Sequence, residues 1–261
     1  MKIALVQLNI AWESKKENFE KAEAFIRQAA EGKCDVVVFP EMFSTGFSMN
    51  IGACADEGYG ETAARLSGMA RKHAVNLIAG FPIKSPAEEK GRNLAAVCNR
   101  KGQLNAIYTK IHPFSHAGED ACYVAGEKTV VFDIDGMPSS VFICYDLRFP
   151  EVFRKVAKEV QAIFVIANWP SERKEHWQTL LKARAIENQC FVIGVNRTGI
   201  DGNGIHYAGA SGIFGPSGNV VCSGDETEEF LTGEFDPAEV ARIRSEFPFL
   251  DDIRTFDADQ D

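Results

Sequence analysis

Three side chains placed where apolar strands run out could together carry acyl transfer. Cys144 ends the run Val141-Phe142-Ile143 and is followed by Tyr145-Asp146. Its thiolate would attack a carbonyl carbon readily, and neighbouring cations or helix N-termini favour that form. Glu41 comes directly after Val36-Val37-Val38-Phe39-Pro40, beside Met42, Phe43 and Phe47. Apolar surroundings disfavour a charged carboxylate, so a glutamate so placed suits general-base work near neutral pH. Lys110 closes Ala106-Ile107-Tyr108-Thr109 just ahead of Ile111-His112-Pro113, and a fixed ammonium there could stabilise a developing oxyanion. Each residue also has an ordinary reading, as a loop carboxylate, a solvated lysine and a buried structural cysteine. Cys34, Cys98 and Cys190 are associated with apolar strands in the same way, so local pattern alone does not choose Cys144. His112 and His116 leave open a second arrangement, a papain-like cysteine–histidine pair.

The elements that must position these groups follow an α/β pattern, with apolar strand-like runs alternating with longer amphipathic segments. Strands are expected over 2–8, 35–39, 76–81, 94–99, 104–110, 129–134, 139–145, 162–168, 191–196, 211–214, 219–222 and 229–235. Short turns such as Asn99-Arg100-Lys101-Gly102, Asp135-Gly136 and Pro216-Ser217-Gly218 make hairpins, so the sheets should be mixed. Apolar residues recurring every three or four positions predict helices over about 14–31, 60–74, 149–160, 172–188 and 237–246. The first is the clearest, with Phe19, Ala22, Phe25, Ile26 and Ala29 on one stripe and Gly32 as a stop signal.

Composition bounds the class. A chain of 261 residues, 45% hydrophobic and 25% charged, reads as an ordinary globular protein, and no linker divides it, so a single domain over 1–261 is expected. Residues 249–261 read as an acidic C-terminal extension, exposed or strapped to the surface. A net charge of -9, with basic runs no longer than Arg71-Lys72 and Arg173-Lys174, argues against nucleic-acid partners. The seven cysteines form neither a C-x-x-C pair nor a zinc-spaced pattern, so neither a disulfide framework nor a metal site is expected. The chain opens on the strand Lys2-Ile3-Ala4-Leu5-Val6-Gln7-Leu8 without a secretory pattern, and no run is long enough to span a membrane. These features fit a protein of the reducing cytoplasm.

Phe39-Pro40-Glu41, Tyr108-x-Lys110 and Ile143-Cys144-Tyr145-Asp146-Leu147-Arg148-Phe149-Pro150-Glu151, in that order, resemble the three signature regions of the nitrilase superfamily of carbon-nitrogen hydrolases. Ala167-Asn168-Trp169-Pro170, Arg184-Ala185-Ile186-Glu187-Asn188 and Val195-Asn196-Arg197-Thr198-Gly199 extend the resemblance over nearly the whole chain. It implies an α/β four-layer α-β-β-α sandwich with two mixed sheets, no cofactor, and a homodimer paired through the helices at 149–160 and 172–188. It also implies roles: Cys144 attacks an amide carbon, Glu41 moves protons, and Lys110 with the backbone N–H of Tyr145 holds the oxyanion. A second orienting acid is implied near Lys110, with Glu119 the candidate and Asp120 its competitor.

Within the superfamily, Cys144-Tyr145-Asp146-Leu147-Arg148-Phe149-Pro150 looks like the amidase-type branches, and Ser44-Thr45-Gly46-Phe47, Ala167-Asn168-Trp169-Pro170 and His176-Trp177 look closest to the omega-amidases, which hydrolyse the terminal amide of 2-oxo dicarboxylic acid monoamides such as 2-oxoglutaramate. Such a substrate carries a remote carboxylate. Arg148 is the motif cation that could bind it, unless it pairs with Asp146 or Glu151. Phe43, Phe114 and Trp169 could wall a small pocket that keeps water from a thioester, or simply pack in the core. An N-carbamoyl amino acid amidohydrolase, a nitrilase or a non-catalytic binding protein on the same fold are the other readings.

Overall fold

A computed structural model describes residues 1–254. Its first half runs β1 (Lys2–Gln7), α1 (Lys15–Glu31), β2 (Val36–Val38), α2 (Ile51–Cys54), β3 (Asp56–Glu57), α3 (Gly60–His73), β4 (Asn76–Lys84), β5 (Gly91–Cys98) and β6 (Leu104–Thr109). The second half runs α4 (Glu119–Cys122), β7 (Phe132–Ile134), β8 (Met137–Ile143), α5 (Pro150–Val156), β9 (Ala162–Ala167), α6 (Lys174–Asn188), β10 (Phe191–Asn196), β11 (Thr198–Ile200), β12 (His206–Ala208), β13 (Gly212–Phe214), β14 (Val220–Ser223), β15 (Glu229–Glu234) and α7 (Ala238–Glu246).

One sheet has the order β15-β1-β2-β4-β5-β6, with β3 paired to β4, and the other β14-β13-β10-β9-β8-β7. Both are mixed. β1, β2 and β4 are parallel and so are β8, β9 and β10, while hairpin partners run antiparallel at the edges. Period-two side-chain alternation sorts β1 between two cores. Ile3 and Leu5 face the second sheet's Val141, Ile143 and Phe164, whereas Ala4 and Val6 join Phe19, Ala22 and Ile26 of α1. The second sheet covers its other face with α6, whose Trp177, Leu181 and Ala185 are buried. The result is the expected α-β-β-α sandwich.

Strand and helix expectations meet the structure closely, with three differences. The helix beginning near 149 ends at Val156, because Ala157 and Val160 turn inward to pack before β9. The β11–β12 hairpin and the short α2, β3 and α4 were not expected. At the C-terminus Phe249–Asp252 forms a 3-10 turn with Leu250 buried, so the extension begins strapped down; its residues 255–261 lie outside the described part.

Candidate active site

Glu41, Lys110, Glu119 and Cys144 converge where the two sheets face one another. Glu41 follows β2, and its backbone packs so tightly on β4 that a Cβ at Gly80 would stand 2.7 Å from its Cα. Only glycine allows that approach. Lys110 follows β6 of the first sheet, and Cys144 follows β8 of the second. Its φ of 47° lies in the left-handed region that a residue with a side chain adopts at a cost of about 1–3 kcal/mol. The chain then coils into a 3-10 turn over Cys144–Arg148, which leaves the sulfur beside a cavity of about 560 Å³. Cys34, Cys98 and Cys190 are buried within the hydrophobic cores. The alternatives that strand patterns left open are thus separated by access.

Lys110 is 1% exposed, and its Nζ donates to Glu41 Oε1 and Glu119 Oε2, each at 2.8 Å. Burial opposes its charge, but Glu119 and then Glu41 outweigh burial, so the ammonium is held well above its ordinary range. Glu119 is raised chiefly by burial, with Lys110 opposing and Glu41 adding to the rise. It also accepts the N–H of Phe114 at 2.5 Å. The competing Asp120 is exposed. Two carboxylates against one ammonium leave no excess cation for a thiolate. The Cys144 thiol is accordingly pushed well above its ordinary range, by burial first and by Glu41 second, with Lys110 opposing. A thiol held up in this way calls for a base to take its proton, the part that the resemblance implies for Glu41.

That base has a defined setting. Glu41 Oε1 accepts from Asn93 Nδ2 at 2.7 Å, and Oε2 accepts the backbone N–H of Asn168 at 2.9 Å. The carbonyl oxygen of the same Asn168 accepts the Cys144 thiol at 3.7 Å. Asn93 also donates to Glu119 Oε1 at 2.9 Å, so β5 ties both acids together. Sequence reading missed Asn93, which directly precedes the apolar run Leu94–Cys98. The expected apolar surroundings of Glu41 are also corrected: its oxygens meet Lys110, Asn93 and Asn168.

Phe114, Tyr145, Arg148 and Trp169 line the cavity. Phe43 does not. Met42, at φ 44°, turns the chain so that Phe43 points to the opposite face of the sheet, where its ring lies 5.3 Å from Phe19 and 5.2 Å from Phe39. Phe47 occupies the cavity position instead. Phe43→Ala should therefore lower unfolding stability by about 3–5 kcal/mol in chemical denaturation while leaving KM within about twofold; a changed KM at unchanged stability would return Phe43 to the cavity.

Arg148 pairs with neither Asp146 nor Glu151 among the described residues. Its guanidinium lies over the Trp169 ring at 4.8 Å, with Nη2 3.2 Å from His176 Nδ1. His116, weighed as a partner for Cys144, stands at the same cavity with Arg173 and His206, which sequence reading did not assign to it. His206 arrives on the unforeseen β11–β12 hairpin, and its Nδ1 lies 3.2 Å from Ser171 Oγ. His112 is engaged elsewhere, with Nδ1 2.8 Å from Asp146 Oδ1. The papain-like pair is not the arrangement found for it. Among the described residues no cluster of three or more His, Cys, Asp or Glu is arranged to hold a metal ion, and no helix is long and apolar enough to cross a membrane.

A buried carboxylate, a fixed ammonium and an accessible thiol are the parts of covalent amide hydrolysis. Comparison with known proteins gives the same direction. Residues 2–245 match the family described as carbon-nitrogen hydrolase. The chain is 38% identical to 2-oxoglutaramate amidase of Bacillus subtilis, over 97% of this chain and 97% of that one. It is 34% identical to omega-amidase YafV of Escherichia coli strain K12, over 98% of each. Among solved structures it is similar to a CN-hydrolase superfamily protein of Xanthomonas campestris that holds an arsenic adduct in its active site, with TM-score 0.92, 32% identity and 98% of each chain covered.

Proposed function

From a chain that belongs to the carbon-nitrogen hydrolase family, we propose an omega-amidase that cleaves the terminal amide of 2-oxo dicarboxylic acid monoamides such as 2-oxoglutaramate. The observation that carries the chemistry is the buried Lys110 held between Glu41 and Glu119 beside the Cys144 sulfur.

Each step follows from where protons can go. Glu41 takes the thiol proton as the sulfur attacks the carboxamide carbon, which suits a thiol that burial keeps neutral. The carbonyl oxygen becomes an oxyanion. Lys110 spends two of its three N–H donors on carboxylates, and the third, with the backbone N–H of Tyr145, holds that oxygen. Protonated Glu41 gives its proton to the amine nitrogen, the C–N bond breaks, and ammonia leaves a thioester on Cys144. Glu41 then takes a proton from water. The resulting attack forms a second tetrahedral intermediate, whose collapse returns the acid and the thiol. Glu119 keeps Lys110 aimed, and Phe47, Phe114 and Trp169 restrict water around the thioester.

Substrate choice rests on charge at the cavity. Arg148, stacked on Trp169, binds the remote carboxylate; the other arginine at the cavity, Arg173, stands 3.8 Å from Glu172. A charge-assisted hydrogen bond contributes about 1.5–3 kcal/mol. Arg148→Met should thus raise KM for 2-oxoglutaramate by roughly 10- to 100-fold and leave a neutral short amide nearly unchanged. Equal losses on both substrates would remove Arg148 from carboxylate binding. An ammonia-release panel over 2-oxoglutaramate, N-carbamoyl amino acids and nitriles tests the class; faster turnover of a carbamoyl or nitrile substrate would overturn the omega-amidase reading.

The same reading carries a cytoplasmic homodimer paired through α5 and α6. Ile186 on α6 is 47% exposed, and Phe247 and Phe249 are exposed beyond α7, apolar area of the kind a partner covers. The cysteines are all unpaired, which suits a reducing compartment. Sedimentation equilibrium showing a monomer at micromolar concentration would remove the dimer.

A further inference from the structure

Asp146 is fully buried, two residues beyond Cys144, and has no lysine or arginine partner among the described residues. Its two oxygens are nonetheless fully used. Oδ1 accepts the backbone N–H of His112 at 2.9 Å and faces His112 Nδ1 at 2.8 Å. Oδ2 accepts the Tyr108 hydroxyl at 2.8 Å and the backbone N–H of Ile143 at 3.0 Å. Tyr108 and His112 stand two residues before and two after Lys110, while Ile143 immediately precedes Cys144. Lys110 follows an edge strand of one sheet and Cys144 follows a strand of the other. A single carboxylate therefore fastens the lysine-bearing loop to the cysteine-bearing turn across the gap between sheets.

The supports of this link are themselves fixed. Burial and Asp146 hold the Tyr108 hydroxyl well above its ordinary range, so it remains a donor. Its oxygen also accepts the N–H of Ile111 at 3.3 Å. The His112 ring stacks on Phe149 with centroids 3.8 Å apart and planes 8° from parallel. The ring is thus held between the carboxylate and the end of the nucleophile's own turn.

We infer that Asp146 and His112 form a positioning pair that sets the distance between the Lys110 ammonium and the Cys144 sulfur, and so the fit of the pair to the tetrahedral oxyanion. Neither residue touches substrate. The inference rests on the thioester reading given above. Its energetic logic is that preorganised groups stabilise a transition state only at the right separation, where a displacement of about 1 Å can cost roughly 100-fold in rate. Substrate binding, which depends on the outer cavity, should be spared.

The test uses substitutions at His112, which is partly exposed and so tolerant of change, alongside Asp146→Asn. His112→Leu removes the ring donor and should lower kcat about tenfold or more with KM within about twofold. His112→Asn offers an amide N–H to Asp146 and should recover most of the loss. Asp146→Asn, which replaces one accepting oxygen by a donor, should lower kcat further than His112→Leu at comparable KM. Unchanged kcat in a folded His112→Leu protein would overturn the inference, as would a His112→Asn variant no better than His112→Leu. So would a loss that falls on KM instead of kcat. Cys144→Ala, assayed beside them, separates this from the underlying reading: full activity there defeats the thioester mechanism itself, whereas an inactive Cys144→Ala with fully active His112 variants defeats only the positioning pair.

Discussion

Cys144→Ala is expected to abolish amide hydrolysis, lowering kcat by at least roughly 10⁴-fold, while the protein remains folded. Among the described residues no other cysteine lines the cavity, and Cys98 and Cys190 are buried in apolar surroundings that push their thiols up to about 11 and about 12. Alanine at 144 keeps the same backbone demand, since the φ of 47° disfavours both residues alike. Stability should therefore change by no more than about 1 kcal/mol. Thermal unfolding and ammonia release measured on the same preparation give both values. Loss of activity with loss of fold would say nothing for the sulfur, whereas retained turnover in the folded variant would refute its role.

Lys110→Met is expected to be damaging twice over. Removing an oxyanion donor costs roughly 100- to 1000-fold in kcat. Removing the cation also leaves Glu41 and Glu119 buried without their shared partner, and breaking a buried ion pair from one side destabilises by about 3–5 kcal/mol. The sign of its pH dependence follows from Glu119, already raised by burial. Without Lys110, which lowers it, Glu119 rises further, so the folded variant binds a proton that the unfolded chain has released. The stability of the variant should be greatest below the ordinary carboxylate range and fall as pH rises through and above it. Denaturant midpoints for both proteins between pH 5 and 8 check this. Parallel curves would mean that Lys110 does not neutralise the acids.

What could be read in the sequence divides along physical lines. Long periodic segments such as α1 announced themselves, because the stripe Phe19, Ala22, Ile26 and Ala29 is buried in one core, with α3 and the outer face of the first sheet. Glu41, Lys110 and Cys144 looked ordinary one at a time, and only their ordered motifs set them apart. The misplacement of Phe43 has a local cause. Its neighbours in sequence are site residues, but the left-handed Met42 sends it to the other face, and no residue type at position 42 signalled that turn. The hairpin carrying His206 was missed because β11 and β12 span only Thr198–Ile200 and His206–Ala208, too short for alternation to register. Asn93, Asn168 and Asp146 act through hydrogen bonds between distant segments, which a one-dimensional pattern does not carry.

A thioester on Cys144 would partition between water and an added nucleophile. Succinamate, which lacks the 2-oxo group that would itself react, is turned over in the presence of increasing hydroxylamine while ammonia, succinate and hydroxamate are counted together. Hydroxamate is expected to grow at the expense of succinate, their sum to equal ammonia at every concentration, and none to form with Cys144→Ala. Ammonia matched by succinate alone at all hydroxylamine concentrations would contradict the thioester.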